Sequence, residues 1–148
     1  MYHYALVLGA KREHAKQLNH VMKQLHNHYL VKKKSRAICG PSETQEPDAR
    51  YINISIVVES GLIRSELKKD LLQFEMFCNL IKKKMIDIDI VIQKKNNEII
   101  FISKKLAMFC HCLITIQDIW PDLFVPDIKL TLYDAMINHP TYPNFYYM

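Results

Sequence analysis

The chain has 148 residues, 49% of them apolar, and a formal net charge of +5. That is enough chain to bury a core without disulfide staples, and it is too apolar to be globally disordered. No apolar run reaches the roughly 18 residues of a membrane helix, and the apolar start, Met1 to Gly9, is shorter than a secretory leader and lacks a basic flank. A single cytoplasmic domain over residues 1–148 is therefore expected.

Tyr2 to Leu8 reads as a buried strand closed by Gly9. From Glu13 to His28, apolar residues recur at Ala15, Leu18, Met22 and Leu25, with Tyr29 next in phase, which is the spacing of an amphipathic helix. Tyr29 to Ile38 reads as a second strand, and Cys39 to Ala49, with Gly40-Pro41 and Pro47, as a long loop. Arg50 to Val58 alternates: Ile52, Ile54 and Ile56 point one way, Tyr51, Asn53 and Ser55 the other. Leu62 to Leu80 predicts a helix with Leu67, Leu71, Phe74 and Cys78 on its inner face. Met85 to Ile92 alternates again, with isoleucines on one face and Asp87 and Asp89 on the other. Asn96-Asn97 signals a hairpin turn, and Ile99 to Ile102 the returning strand. Residues 104–117 and 130–138 read as short helices, and the aromatic tail from Pro140 to Met148 has no assignable pattern.

This order of elements is that of the split βαβ, an α+β ferredoxin-like sandwich with helices on one face of an antiparallel-containing sheet. With the isoleucine faces against the helices, Tyr51, Asn53, Asp87 and Asp89 share the opposite, open face.

Several residue clusters carry chemistry. Residues 1–40 hold eight Lys/Arg against one acid, Glu13, and five of the seven histidines precede residue 29. Such a balance favours an anionic partner, the alternative being a solvated helix face. Cys110-His111-Cys112 has the look of a ligand triplet, but no second cluster completes a tetrahedral site, so buried free thiols are expected. Asp87 and Asp89, at i and i+2 of a strand, stand roughly 6.5–7 Å apart on one side of it. Two hard cations relieve their repulsion. Magnesium takes one or two carboxylates and completes its shell with water and phosphate oxygens, and two such ions clamp a transferring phosphoryl group. On these residues alone the alternative is a pair of solvated acids facing Lys82–Lys84 or Lys94.

The surrounding sequence resembles the hydroxymethyl-dihydropterin pyrophosphokinase family. Met85-Ile86-Asp87-Ile88-Asp89-Ile90-Val91 is similar to its magnesium strand, with Lys84 where the family carries arginine. Tyr4 to Gly9 resembles the first strand, Pro47 to Asn53 the segment opening the pterin-binding strand, and Ile119-Trp120-Pro121-Asp122-Leu123 with Pro126-Asp127 the C-terminal motifs. The match spans about residues 4–135. The resemblance implies a ferredoxin-like fold and an ATP-dependent transfer of pyrophosphate to the hydroxymethyl oxygen of a reduced pterin, releasing AMP. Asp87 and Asp89 would hold two magnesium ions, Asn53 would bond the pterin edge beside Tyr51, and Glu75 would frame the nucleotide. The chain departs from the pattern at Gly9-Ala10-Lys11 and lacks the family's phosphate-gripping histidine and arginine, so Lys84 and Lys104 become the candidate catalytic cations. The expected partners are ATP and a reduced pterin, acting on a monomer without membrane or nucleic acid. A non-catalytic relative that binds nucleotide, pterin or a protein is the second reading. A ferredoxin-like nucleic-acid-binding module is the third.

Overall fold

Strand β1 (Tyr2–Lys11) lies at the centre of the sheet, and everything else is arranged about it. A 3-10 turn at Arg12–His14 leads into helix α1 (Ala15–His28). Strands β2 (Leu30–Lys34), β3 (Ile38–Pro41) and β4 (Arg50–Ser60) follow, then helix α2 (Arg64–Cys78) and the hairpin of β5 (Ile86–Lys95) and β6 (Glu98–Ile102). The C-terminal part carries α3 (Lys105–Met108), α4 (Cys110–Ile119), the two-residue strands β7 (Phe124–Val125) and β8 (Leu130–Thr131), α5 (Leu132–Ile137) and β9 (Tyr146–Tyr147). The computed structural model describes residues 1–43, 49–78, 86–126 and 129–148. Expectations placed on Pro47, Lys82, Lys83, Lys84, Met85 and Asp127 lie outside the described residues, as does the side chain of Cys78.

The main sheet runs β6-β5-β1-β4-β3-β9, with β2 also on β4, and every pairing is antiparallel. Counting β2 and β3 as one interrupted strand, the core order is that of a ferredoxin-like α+β fold. The alternation along β1 explains its two-sided burial. Tyr4, Leu6, Leu8 and Ala10 pack with Leu18, Leu25, Leu67 and Leu71 of the crossover helices α1 and α2. Burying each such leucine contributes roughly 1.5–3 kcal/mol. Ala5 and Val7 point the other way, into a second core with Leu113, Ile116 and Met136. The face expected to be open is thus covered by α4 and α5 over much of its area. α4 is apolar on nearly all sides, from Cys110 to Ile116, so no helical stripe in the sequence marks it as a sheet-covering helix.

Three further differences have local causes. β1 does not stop at Gly9; Gly9, Ala10 and Lys11 stay paired with β4, because an extended glycine only leaves a gap in the side-chain row. The second strand is broken at Ser35, whose hydroxyl accepts the Ser55 N–H at 2.8 Å while its own N–H donates to the Ser55 carbonyl at 2.8 Å. The helix read over 104–117 is two helices, parted by extended backbone at Phe109 (φ −114°, ψ 121°). Asn96 and Asn97 do form the hairpin turn, both with positive φ (52° and 65°), which suits the right-handed twist of the flanking strands. Among the described residues no helix is long and apolar enough to cross a membrane.

The tail that showed no pattern folds back as β9 on β3, pairing Tyr147 with Ile38 and Tyr146 with Cys39. Phe145 lies directly on Gly40, where a Cβ would stand 2.2 Å from the ring. Gly40→Ala is therefore expected to unseat the tail, lowering stability in urea unfolding by about 1–3 kcal/mol and speeding amide exchange at Tyr146 and Tyr147. A loss under about 0.5 kcal/mol, within the range of a neutral surface change, would contradict this packing.

Candidate active site

The register of β1 sets the site. Gly9 stands opposite Asp87 of β5 on one side and Asn53 of β4 on the other, and Val7 opposite Asp89 and Ser55. Ile86 and Ile88 are buried against the crossover helices, so Asp87 and Asp89 project from the other face. Two strand spacings separate Asp87 from Asn53, about 10 Å between Cα atoms. Gly9 puts no side chain of its own into the row, and a Cβ there would lie 2.7 Å from the Asn53 Oδ1. The buried Asn53 amide leans into that gap. Tyr51 is half-buried, two residues along β4 and level with Lys11 and Gly40. The sequence-predicted quartet is thus on one face, with Asn53 more enclosed than expected.

Asp87 is exposed. Asp89 is 40% exposed and receives the Lys105 ammonium at 2.8 Å. An ion pair this open contributes at most about 1 kcal/mol, so a harder or more highly charged partner can displace it. Among the described residues no group of three acids, histidines or cysteines forms a protein cage for a metal. Two oxygen-donating carboxylates, one exposed and one 40% exposed, suit a magnesium ion that keeps water and phosphate in its shell.

Asp89 also lies on the rim of a cavity of about 760 Å³ between α2 and the β5–β6 hairpin. Leu71, Leu72, Ile88 and Ile90 make its apolar walls, and Arg64, Lys68 and Lys105 supply positive charge. Arg64 is held in place: it donates to the Gln93 Oε1 at 3.3 Å and stacks on the Phe101 ring at 3.9 Å. Gln93 in turn donates to the Tyr4 hydroxyl at 3.0 Å, which donates to the Leu62 carbonyl at 2.6 Å. Burial raises the Tyr4 phenol above its ordinary range, so it remains a neutral donor. Glu75 lines the same cavity. It is buried, and its Oε1 accepts the Ile88 N–H at 2.6 Å. β6 pairs β5 only from Ile92 onward, so this carboxylate serves a strand edge that has no neighbouring strand.

On the other flank stands a carboxylate the sequence did not single out. Glu43 Oε1 accepts the His111 N–H at 2.9 Å and the His111 Nδ1–H at 3.0 Å. Its Oε2 accepts the Cys110 N–H at 2.9 Å and the Thr141 hydroxyl at 3.0 Å. Burial by itself would raise this carboxyl; the bonds from the His111 ring, then from the His111 and Cys110 amides, outweigh it and hold the group below the ordinary range. No local pattern could reveal the pair, since 68 positions separate Glu43 from His111. Cys110 and Cys112 are buried free thiols, as is Cys39, in keeping with the reading of the triplet.

The cations are distributed otherwise than expected. Lys104 is exposed at the N-terminus of α3 and does not line the cavity, whereas its neighbour Lys105 does. Two cations of the basic N-terminal part are engaged at the far end of α4, where Lys33 donates to the Ile119 carbonyl at 3.2 Å and Arg36 pairs with Asp118 at 3.1 Å. Positive charge there complements the helix C-terminus.

No protein-family model matches the sequence, and no curated protein is similar to it at the sequence level. Solved structures do match. HPPK-DHPS of Plasmodium falciparum, as a triple mutant with pteroate, superposes with a TM-score of 0.74 at 11% identity over 99% of this chain and 46% of that one. The wild type with pterin and p-hydroxybenzoate gives 0.70 at 12% identity over 99% and 46%. The chain thus spans less than half the length of those proteins. The likeness is one of fold, to the HPPK domain, which is itself ferredoxin-like α+β.

The Glu43 cluster predicts a pH dependence. A carboxyl depressed in the folded state contributes stability that is fully present above its unfolded value, about 4.3, and is lost as pH falls through the folded value. Glu43→Gln puts an amide group among four donors and should cost about 1–3 kcal/mol at neutral pH. The same change should flatten the loss of stability below about pH 4.3. Denaturant unfolding at several pH values checks this; parallel acid limbs in the two proteins would contradict it.

Proposed function

We propose that this chain transfers pyrophosphate from ATP to the hydroxymethyl oxygen of a reduced pterin, releasing AMP. One observation carries the reading: of two solvent-accessible carboxylates on one face of β5, Asp89 lines a nucleotide-sized cationic cavity and Asp87 shares a row with Gly9 and the buried Asn53. The similarity in fold to the HPPK domain supports it. The adenine and ribose of ATP lie against Leu71, Leu72 and Ile88, and Arg64 and Lys68 meet the phosphates. Lys105 moves from Asp89 to the transferring group, where its charge is worth more than in an exposed ion pair. Lys84, beyond the described residues, and the exposed Lys104 remain candidates for the same work. Asn53 presents both a donor and an acceptor, which suits the mixed edge of a pterin, with Tyr51 flanking it. Asp87 and Asp89 would hold magnesium, which would neutralise charge on the phosphates.

A binding protein without turnover is the second reading. It is favoured by the missing histidine and arginine of the resembled family. A nucleic-acid module is disfavoured, because α4 covers part of the sheet face on which such modules stack bases.

The decisive experiment follows AMP by chromatography, with ATP, magnesium and 6-hydroxymethyl-dihydropterin. AMP formation dependent on the pterin is expected; release of ADP, or no turnover, would overturn the transferase reading. Asp87→Asn and Asp89→Asn should each lower turnover at least about 100-fold, the scale of losing one electrostatic stabiliser. Calorimetry should show weaker ATP binding in these variants with magnesium and unchanged binding without it. Equal affinity in all three proteins with magnesium present would remove Asp87 and Asp89 from the site.

A further inference from the structure

The Glu43–His111 pair holds more order than a helix start requires. Two backbone N–H groups would satisfy a capping carboxylate, yet Glu43 also takes the His111 ring and the Thr141 hydroxyl. Its side chain is only 4% exposed, against 19% for His111. Because a carboxylate can only accept, Nδ1 of His111 carries the proton and Nε2 is left as the basic nitrogen. Nε2 has no hydrogen-bond partner among the described residues, and no buried side-chain nitrogen or oxygen there lacks one. That nitrogen is therefore open to a ligand. The Phe109 ring stacks on the imidazole, 5.4 Å between centroids and 10° from parallel, which fixes its plane.

The direction of α4 points its N-terminal end, and with it this imidazole, toward the end of β4 that carries Asn53. The C-terminal end of α4 is tied at Asp118 and Ile119 to Arg36 and Lys33, and Lys33 is level with Val57 of β4. Midway, Thr115 accepts the Ser55 hydroxyl at 2.6 Å. One turn earlier, Thr115 donates to the His111 carbonyl at 2.8 Å. His111 thus lies one helical turn before Thr115, toward the Asn53 end of β4. Cys112, next in the chain, agrees with this placement: burial raises its thiol, and the charges of Asp89 and Glu43 both add to the effect while Lys105 opposes it.

We propose that His111, oriented through Nδ1 by Glu43, is the base that takes the proton of the acceptor's hydroxyl through Nε2. This rests on the transferase reading above. The hydroxyl oxygen forms its bond to the β-phosphorus of ATP as the bond from that phosphorus to the α,β-bridging oxygen breaks. AMP leaves with the electron pair, and the hydroxyl proton passes to Nε2 and then to solvent. Glu43 is a positioning residue, which holds the tautomer and steadies the imidazolium that forms. Among the described residues, the titratable and charged groups linked to the Glu43–His111 cluster are Cys110 and Cys112 on α4, His139 through Thr141, and Asp89 with Lys105 by their charge on Cys112. Burial raises both thiols, which keeps them neutral bystanders.

His111→Asn tests this without dismantling the cluster, because the asparagine amide nitrogen stands near the place of Nδ1 and still donates to Glu43. AMP formation is measured from pH 5 to 9 with ATP, magnesium and 6-hydroxymethyl-dihydropterin. The wild-type kcat is expected to fall on the acid side, where an imidazolium can accept no proton. In His111→Asn, kcat should drop about 10²–10³-fold and lose that acid limb. Magnesium-ATP affinity and melting temperature should stay at wild-type values, and added imidazole should restore part of the rate. A kcat within about threefold of wild type with the acid limb intact would overturn the role of His111 while leaving the transferase reading standing, since a true base supplies far more than that. No AMP from the wild type would overturn both.

Discussion

An antiparallel strand with partners on both sides has no freedom of register once its faces are buried. β1 is such a strand, and a slip of one residue would turn Leu6 and Leu8 out of one core and Ala5 and Val7 out of the other. That constraint brings Gly9 between Asp87 and Asn53. The carboxylate pair, the amide and the gap that separates them are therefore set by core packing on the far side of the sheet. A site built on three paired strands inherits their rigidity, which a phosphoryl-transfer geometry needs.

The acids around this row fall into two kinds. Glu75 and Glu43 are buried, and each is matched to fixed donors: the Ile88 N–H for one, and two amides, an imidazole and a hydroxyl for the other. These two shape the site, one by securing the edge of β5 and the other by tying α4 to the end of β3. Asp87 and Asp89 are open to solvent, and Asp89 meets a surface lysine. Carboxylates that serve structure are buried and matched to fixed donors; a carboxylate left partly in water on the wall of a cationic cavity, as Asp89 is, is available to a ligand.

The alternation of isoleucine with Asp87 and Asp89, and of isoleucine with Tyr51 and Asn53, was enough to put all four on one face, because the period of a strand is two. The Asn96-Asn97 hairpin was equally legible, since asparagine tolerates positive φ. What failed to show in the sequence depends on contacts between distant residues. The break at Ser35 rests on a bond to Ser55, the Glu43–His111 pair on two segments far apart in the chain, and the docking of β9 on a glycine that admits Phe145. α4 was half-hidden because a helix apolar on nearly all sides has no clear face to read. Lys104 and Lys105 are adjacent, and only the first turn of α3 decides which of them reaches Asp89.

The central claim is that Asp87 and Asp89 hold a divalent cation beside the bound nucleotide. Manganese stands in for magnesium here, and its paramagnetism broadens nearby amide resonances steeply with distance. With manganese-ATP added at substoichiometric levels, broadening should centre on Gly9 and residues 86–89 and reach Ser103 and Lys105. The hairpin at Asn96 and Asn97, about 25 Å along β5 from Asp89 at the rise of an extended strand, should stay sharp. Broadening centred on the histidines of α1, or none at Gly9 and Asp87, would contradict the claim.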